Sequence, residues 1–154
     1  MTYPLSTARC SALWCALTLF ALSARALGAQ TGAVTVRDAW VREAPAGRPT
    51  TGVFVTVKNA GNAARSIVSG KASVGDTLEL HEMVRENGMM RMSPVKAIAV
   101  PAGGQVELKP GGLHLMLFGL KKALVPGDTV QVELTLDDGS RVKMAAPVRK
   151  MGGM

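Results

Sequence analysis

Short runs in which apolar and polar residues alternate constrain the fold of this chain more than any other feature. The clearest examples are residues 53–58, which read Val-Phe-Val-Thr-Val-Lys, and residues 77–84, which read Thr-Leu-Glu-Leu-His-Glu-Met-Val. A period of two places successive side chains on opposite faces of a β-strand, whereas an amphipathic helix needs a period near 3.6. No stretch keeps a helical period over several turns, so the pattern predicts an all-β protein.

Turn-forming residues separate the alternating runs. The segments Asn59-Ala60-Gly61-Asn62, Pro110-Gly111-Gly112 and Asp137-Asp138-Gly139 all favour tight turns. Many short strands with a turn about every eight to twelve residues are typical of a β-sandwich or barrel, and 154 residues suit one domain. The other predicted strands are residues 34–41, 66–69, 89–92, 96–100, 105–108, 113–120, 130–136 and 141–146.

The N-terminal residues read as an export signal and not as part of the fold. Arg9 precedes a short apolar run, and small residues follow that run, which is the order found in a secretory signal peptide. The run is too short, and Arg25 follows it too closely, to predict a membrane-spanning helix. Cleavage is expected after Ala26, Gly28 or Ala29, of which we favour Ala29. The protein is therefore predicted to be periplasmic.

Removal of residues 1–29 changes the chemistry available to the mature protein. Both cysteines of the chain, Cys10 and Cys15, are lost, so neither a disulfide nor a thiolate ligand is left. Neither cysteine follows a small-residue box after the apolar run, and we expect no lipid attachment. The formal net charge falls from +7 to +5. The basic residues of the mature protein are scattered along the chain, which argues against nucleic-acid binding. Residues 30–148 are predicted to form the folded domain, followed by a flexible tail at 149–154.

The chain has only two histidines but nine methionines, and the two residue types occur together. His81 and Met83 lie two residues apart in one predicted strand, and His114 and Met116 do so in another, so each pair shares a face. Thioethers are soft, neutral ligands that favour copper(I) over zinc, calcium or magnesium. Any one of these residues alone is more often a core residue, but their joint pattern predicts a copper(I) site. Met92 follows the first pair, and Met83 competes with it as a ligand.

The spacing of these residues resembles that of a known family. Ten residues separate His81 from Met92, twenty-one separate Met92 from His114, and one separates His114 from Met116. This spacing matches the H-x10-M-x21-H-x-M signature of the periplasmic copper chaperones called PCu(A)C. The resemblance covers nearly all of the predicted mature chain. Further similar runs are residues 38–42, 80–83, 100–104 and 108–117.

The resemblance implies a fold and a function. It implies a cupredoxin-like (immunoglobulin-like) antiparallel β-sandwich that binds one copper(I) ion through His81, Met92, His114 and Met116. It also implies delivery of copper to cytochrome c oxidase, chiefly to its CuA centre in the copper-binding subunit, often alongside a Sco-type copper protein. Some relatives carry a His- and Met-rich tail that binds copper(II). The tail here has two methionines and no histidine, so a second site stays an open question.

Other functions fit the residues less well. No nucleophile, base or oxyanion pocket stands out, so we do not expect an enzyme. A blue-copper electron-transfer site needs a cysteine thiolate, and a metal-dependent hydrolase or oxygenase would need carboxylates beside the histidines. Stable membrane insertion after signal cleavage is not expected. A periplasmic copper buffer or copper-resistance protein would use the same ligands as a chaperone, so this alternative stays open.

Overall fold

A computed structural model describes residues 33–151, and within that stretch the chain forms ten β-strands and no helix. The predicted signal peptide lies outside the described residues. The strands are β1 (Val34–Arg42), β2 (Thr50–Asn59), β3 (Arg65–Ala72), β4 (Thr77–Glu86), β5 (Met89–Pro94), β6 (Ile98–Val100), β7 (Gln105–Leu108), β8 (His114–Phe118), β9 (Thr129–Leu136) and β10 (Arg141–Arg149). Each overlaps a strand predicted from the sequence. Between residues 33 and 151, no helix is long and apolar enough to cross a membrane.

The strands form one sheet that closes on itself. Their order is β5-β4-β8-β2-β1-β10-β9-β3-β6, with β7 paired to β2 beside β8. Gly70 of β3 also pairs with Leu78 of β4, which joins the two halves of the sheet. Most neighbouring strands are antiparallel, as predicted. β1 and β10 are parallel, with Val41 opposite Val148, and alternation alone carries no information about strand direction.

The core inside the closed sheet is aliphatic. Most of its buried side chains are Val, Leu and Ile, and residues such as Ile67, Leu115, Leu117 and Leu134 are fully buried. Each such side chain stabilises the fold by about 1.5–3 kcal/mol relative to an exposed one. The core therefore reaches its volume almost without aromatic rings, as the 4% aromatic content requires.

Strands β4 and β8 divide their side chains between this core and the opposite face of the sheet. Leu80 and Leu115 point into the core. His81, His114 and Met116 alternate with these leucines and so lie on the other face. The predicted ligands are thus placed outside the aliphatic core, on two strands that pair directly with each other.

A β-bulge in β1 orients an aromatic residue toward that outer face. The register between β1 and β2 shifts between Arg37 and Trp40, where Asp38 has a φ of 55°. A non-glycine residue with positive φ is uncommon and is characteristic of bulges and turns. After the bulge, Trp40 lies opposite Phe54, and the two rings pack with their centroids 4.5 Å apart.

Candidate metal site

Strand register brings the predicted ligands onto one face of the sheet. His81 of β4 lies directly opposite His114 of β8, and Met83 of β4 lies directly opposite Met92 of β5. Directly opposed residues in an antiparallel pair share a face and have neighbouring side chains. The two imidazole rings are 5.9 Å apart between centroids. Met116, two residues after His114, belongs to the same face.

Each imidazole is oriented by one hydrogen bond. The Nδ1–H of His114 donates to the carbonyl oxygen of Gly112 at 2.9 Å, because a carbonyl can only accept. The Nε2–H of His81 donates to the carboxylate of Glu79 at 3.0 Å. In a neutral imidazole the other ring nitrogen then carries a free lone pair. These nitrogens are Nε2 of His114 and Nδ1 of His81.

The free nitrogen of His81 is buried and has no hydrogen-bond partner among the described residues. Buried polar atoms are normally paired, so an unpaired one needs an explanation. Histidines that bind metals usually donate their second N–H to a carboxylate or a backbone carbonyl. Glu79 and Gly112 provide one partner of each kind, and the arrangement therefore suits a metal ion between the rings.

The thioethers lie above nearly buried imidazoles. His81 is 7% exposed and His114 is 5% exposed, whereas Met92 is 46% exposed. A pocket of about 190 Å³ opens at this face, and Met83, Met92, His114 and Met116 line it. The pocket thus has the imidazole of His114 at its base and the solvent-accessible thioether of Met92 at its rim. His81 does not line the pocket and lies beside it, opposite His114. Alternation predicts that each histidine shares a face with a methionine, but it does not predict that the two rings are buried.

Aromatic rings flank the two imidazoles. Phe118 lies 6.0 Å from His81, and Phe54 lies 6.4 Å from His114, between ring centroids. With Trp40, which packs on Phe54, these are all the aromatic residues between positions 33 and 151. Phe118 and Phe54 thus place apolar rings beside the two imidazoles. The sequence did not indicate that these aromatic residues lie beside the histidines.

The donor set selects a soft cation of low charge. No group of three His, Cys, Asp or Glu side chains suited to a metal ion occurs in the described part of the chain. The two histidines alone provide fewer such ligands than a zinc site, which usually takes three or four, or a calcium site, which takes six to eight oxygens. Glu79 supplies a negative charge next to His81. Arg42 and Arg48 line the pocket together with Glu43, and their positive charges oppose the accumulation of a highly charged cation there.

The structure brings together all four residues that the resemblance implied as ligands. His81, Met92, His114 and Met116 share one face of the β5-β4-β8 sheet. Met83 lies on this face too, directly opposite Met92. Strand position alone therefore does not decide which of the two thioethers would bind the ion. Sequence reasoning did not single out Glu79, although its position two residues before His81 on an alternating strand was a usable signal.

The chain belongs to the LpqE-like family: residues 34–148 match the family model described as "Putative lipoprotein LpqE-like". It is similar to "Putative lipoprotein Lxx21020" from Leifsonia xyli subsp. xyli (strain CTCB07), with 40% identity over 132 residues. That alignment covers 85% of this chain and 78% of the relative.

Solved structures extend the comparison. The apo form of DR1885 from Deinococcus radiodurans is 30% identical, with a TM-score of 0.61, over 99% of this chain and 97% of that one. Its CuI form is 32% identical, with a TM-score of 0.59, over 82% and 85%. A copper-bound PCuAC domain from PmoF2 is 19% identical, with a TM-score of 0.66, over 78% and 95%, which shows a shared fold. The predicted all-β, cupredoxin-like fold class is confirmed.

Proposed function

We propose that this protein is an exported copper(I) carrier, a metallochaperone of the periplasm that delivers its ion to the CuA centre of cytochrome c oxidase. His81, Met92, His114 and Met116 are the proposed ligands, and copper(I) is the cargo. The protein binds and releases the ion without changing a substrate covalently. The similarity to DR1885, whose solved forms include a CuI form, supports the choice of metal.

The observation that carries this proposal is the facing pair of His81 and His114. Each ring has one nitrogen held by a hydrogen bond and the other left with a free lone pair. The rings are close enough for one ion to lie between them, and thioethers line the pocket above. Imidazole and thioether together suit copper(I) better than they suit zinc or magnesium.

Release follows from the difference in burial between the ligands. Met92 is accessible at the rim, so an incoming ligand can displace its thioether first while the buried imidazoles still hold the ion. A thiolate acceptor binds copper(I) more firmly than a neutral thioether does. Transfer to a cysteine-containing target such as the CuA centre is therefore downhill. A Sco-type thiol protein is the proposed partner in this delivery step.

Anaerobic transfer of copper(I) from the loaded protein to an apo CuA domain tests the delivery function. The CuA domain should take up copper, and the rate should exceed that from an equal concentration of a small copper(I) chelator complex of matched affinity. His114→Ala, loaded under the same conditions, is the control that should fail to carry copper. Loading of wild type without any transfer to the domain would contradict the chaperone role.

That last outcome would favour the alternative function, a periplasmic copper buffer or copper-resistance protein. A buffer needs the same ligands but no acceptor, so it would bind copper(I) and exchange it only with chelators. Deletion strains separate the two roles. Loss of a chaperone should lower oxidase activity in copper-limited medium, whereas loss of a buffer should lower growth in excess copper.

The proposed periplasmic location rests on the sequence of residues 1–29, read as a signal peptide. The word lipoprotein in the names of the family model and of the relative from Leifsonia also fits an exported protein. Copper(I) without thiolate ligands suits such a compartment, because an oxidising environment would convert exposed thiolates to disulfides.

A further inference from the structure

The C-terminal end of β10 is fixed beside the candidate metal site. β10 runs parallel to β1, with Arg149 opposite Arg42. The backbone N–H of Glu43 donates to the carbonyl of Arg149 at 2.9 Å. Arg42 and Glu43 themselves line the pocket. The chain therefore leaves its last strand at the rim of the pocket, and the next residues start from a defined position.

Met151 follows this anchor by two residues and lines the same pocket as His114, Met116, Met83 and Met92. Its side chain is 36% exposed, and it lies outside the aliphatic core. A methionine in a core fills volume, but this one faces a pocket whose other sulfur atoms are candidate ligands. Its position is explained by the pocket and not by packing inside the sheet.

We propose that Met151 is an additional copper(I)-contacting thioether of this site, which exchanges with Met92 as the ion enters and leaves. The inference rests on the proposed copper(I) function. Two imidazoles and two thioethers already complete a tetrahedral set, so a further thioether at the rim acts by replacing one of them. No electron or proton moves: one Cu–S bond forms as another breaks. Met151 thus belongs to the same site as the other four ligands.

The exchange lowers the cost of releasing the ion. Loss of Met92 alone would leave copper(I) with fewer donors in a pocket flanked by the cations Arg42 and Arg48. Two other thioethers line the pocket with Met92 and Met116, those of Met83 and Met151. Met151 is the more exposed of the two, so it can occupy the vacated position on the side from which an acceptor ligand arrives. Copper(I) then keeps four ligands, two imidazoles and two thioethers, at each stage as it moves toward the rim.

Methyl NMR of protein labelled with [ε-13C]methionine tests the contact directly. Stoichiometric copper(I) should shift the ε-methyl signals of Met92, Met116 and Met151. Met89 is the matched control, because it is 66% exposed, lies three residues from Met92 in the same strand and is not among the pocket-lining residues. Its signal should stay in place. Assignments come from single Met→Leu variants.

Kinetics of copper(I) removal by an excess of chelator give the second readout. Met151→Leu should weaken copper(I) binding by roughly tenfold, the lower end of what loss of a supporting group costs a metal site, and should slow removal by the chelator. Met89→Leu should change neither quantity. An unshifted Met151 signal together with wild-type affinity and removal rate in Met151→Leu would overturn this inference while leaving the copper function intact. Failure of wild type to bind copper(I) at all would overturn the proposed function itself.

Discussion

At the scale of single residues, the candidate site contains the proposed ligands and, beside them, the groups that orient the imidazoles. His81 and His114 are each fixed through one nitrogen, by Glu79 and by the carbonyl of Gly112. The thioether of Met92 has no comparable restraint and is exposed at the rim. Substitutions can therefore distinguish ligands, supporting groups and core residues by their separate effects on copper binding and on stability.

Leucine substitution of the methionines separates sulfur chemistry from packing. Met→Leu nearly preserves volume and usually costs under about 1.5 kcal/mol in a core. Met92→Leu and Met116→Leu should leave the melting temperature of the apo protein almost unchanged, yet weaken copper(I) binding by at least about tenfold. His81→Ala and His114→Ala should weaken it more. Copper(I) competition titrations and apo melting curves measure both effects.

Met144→Leu is the matched control for that series, because Met144 is buried in the core, away from the pocket. It should bind copper(I) like wild type. Wild-type copper affinity in both Met92→Leu and Met116→Leu would mean that these methionines are packing residues and that the proposed ligand set is wrong.

Glu79 should act on copper through His81. Glu79→Ala removes the acceptor that holds the Nε2–H of His81, so the ring loses its orientation, and copper(I) affinity should fall by roughly ten- to a hundredfold. Glu79→Gln keeps an oxygen that can accept this hydrogen bond and should recover part of the loss. Copper(I) competition titrations on both variants test this.

Glu107→Ala is a suitable comparison, since Glu107 pairs with Lys109 at an exposed position of β7. Equal copper affinity in wild type, Glu79→Ala and Glu107→Ala would show that His81 needs no carboxylate to bind the ion.

At the scale of strands, a cluster of charges links β3, β9 and β10. Glu133 of β9 pairs with Lys71 of β3 at 3.2 Å and with Lys143 of β10 at 3.6 Å. The hydrogen bond from Lys71 lowers the pKa of Glu133, and the positive charges of Lys71, Arg141 and Lys143 lower it further. The pKa of this carboxyl is thus lower in the folded chain than the ordinary value of 4.5.

This depressed pKa makes the contribution of Glu133 to stability depend on pH. Because the folded state favours the carboxylate, the contribution is present above the ordinary pKa and disappears as the pH falls through the folded-state pKa. Glu133→Gln should therefore be less stable than wild type at pH 7, and the two should converge in acid. Urea unfolding at several pH values tests this, and a difference that grows on acidification would contradict it.

Alternation predicted the strands but not their partners. Within β4, the sequence Leu-Glu-Leu-His-Glu-Met assigns each side chain to a face, because the geometry is local. The pairing of β1 with β10 joins segments about a hundred residues apart, and its parallel direction depends on how the whole sheet closes. No local pattern records that closure, so the parallel pair and the β3–β4 contact were not predictable.

The same division applies to the site. The shared face of His114 and Met116 follows from a spacing of two and was predictable. The contact between His81 and His114 depends on the register of β4 against β8, which becomes known only once the sheet is assembled. Trp40 packs on Phe54 after a bulge at Asp38, and bulges leave little trace in a pattern of apolar and polar residues.

At the scale of the whole molecule, copper(I) should stabilise the fold. A ligand that binds only the folded state, buffered at a hundred times its dissociation constant, adds about 2.7 kcal/mol. For a domain of this size, that should raise the melting temperature by roughly 10 °C. Calorimetry with copper(I) supplied by a chelator buffer measures it, and metal analysis should return one copper per chain.

Zinc at the same free concentration is the control, and it should shift the melting temperature much less because thioethers bind it poorly. A larger shift with zinc than with copper(I), or two tightly held copper ions per chain, would contradict a single site of two imidazoles and two thioethers.

The hydrogen bond between Glu43 and Arg149 also decides where a purification tag can be attached. An oligohistidine tag fused after residue 154 would begin only a few residues beyond Met151, which already lines the pocket, and its imidazoles would compete for the copper being measured. Val34, at the start of β1, lies about 26 Å along the strand from Arg42, at about 3.3 Å per residue. A tag placed before β1 would therefore lie at the opposite end of that strand from the metal site.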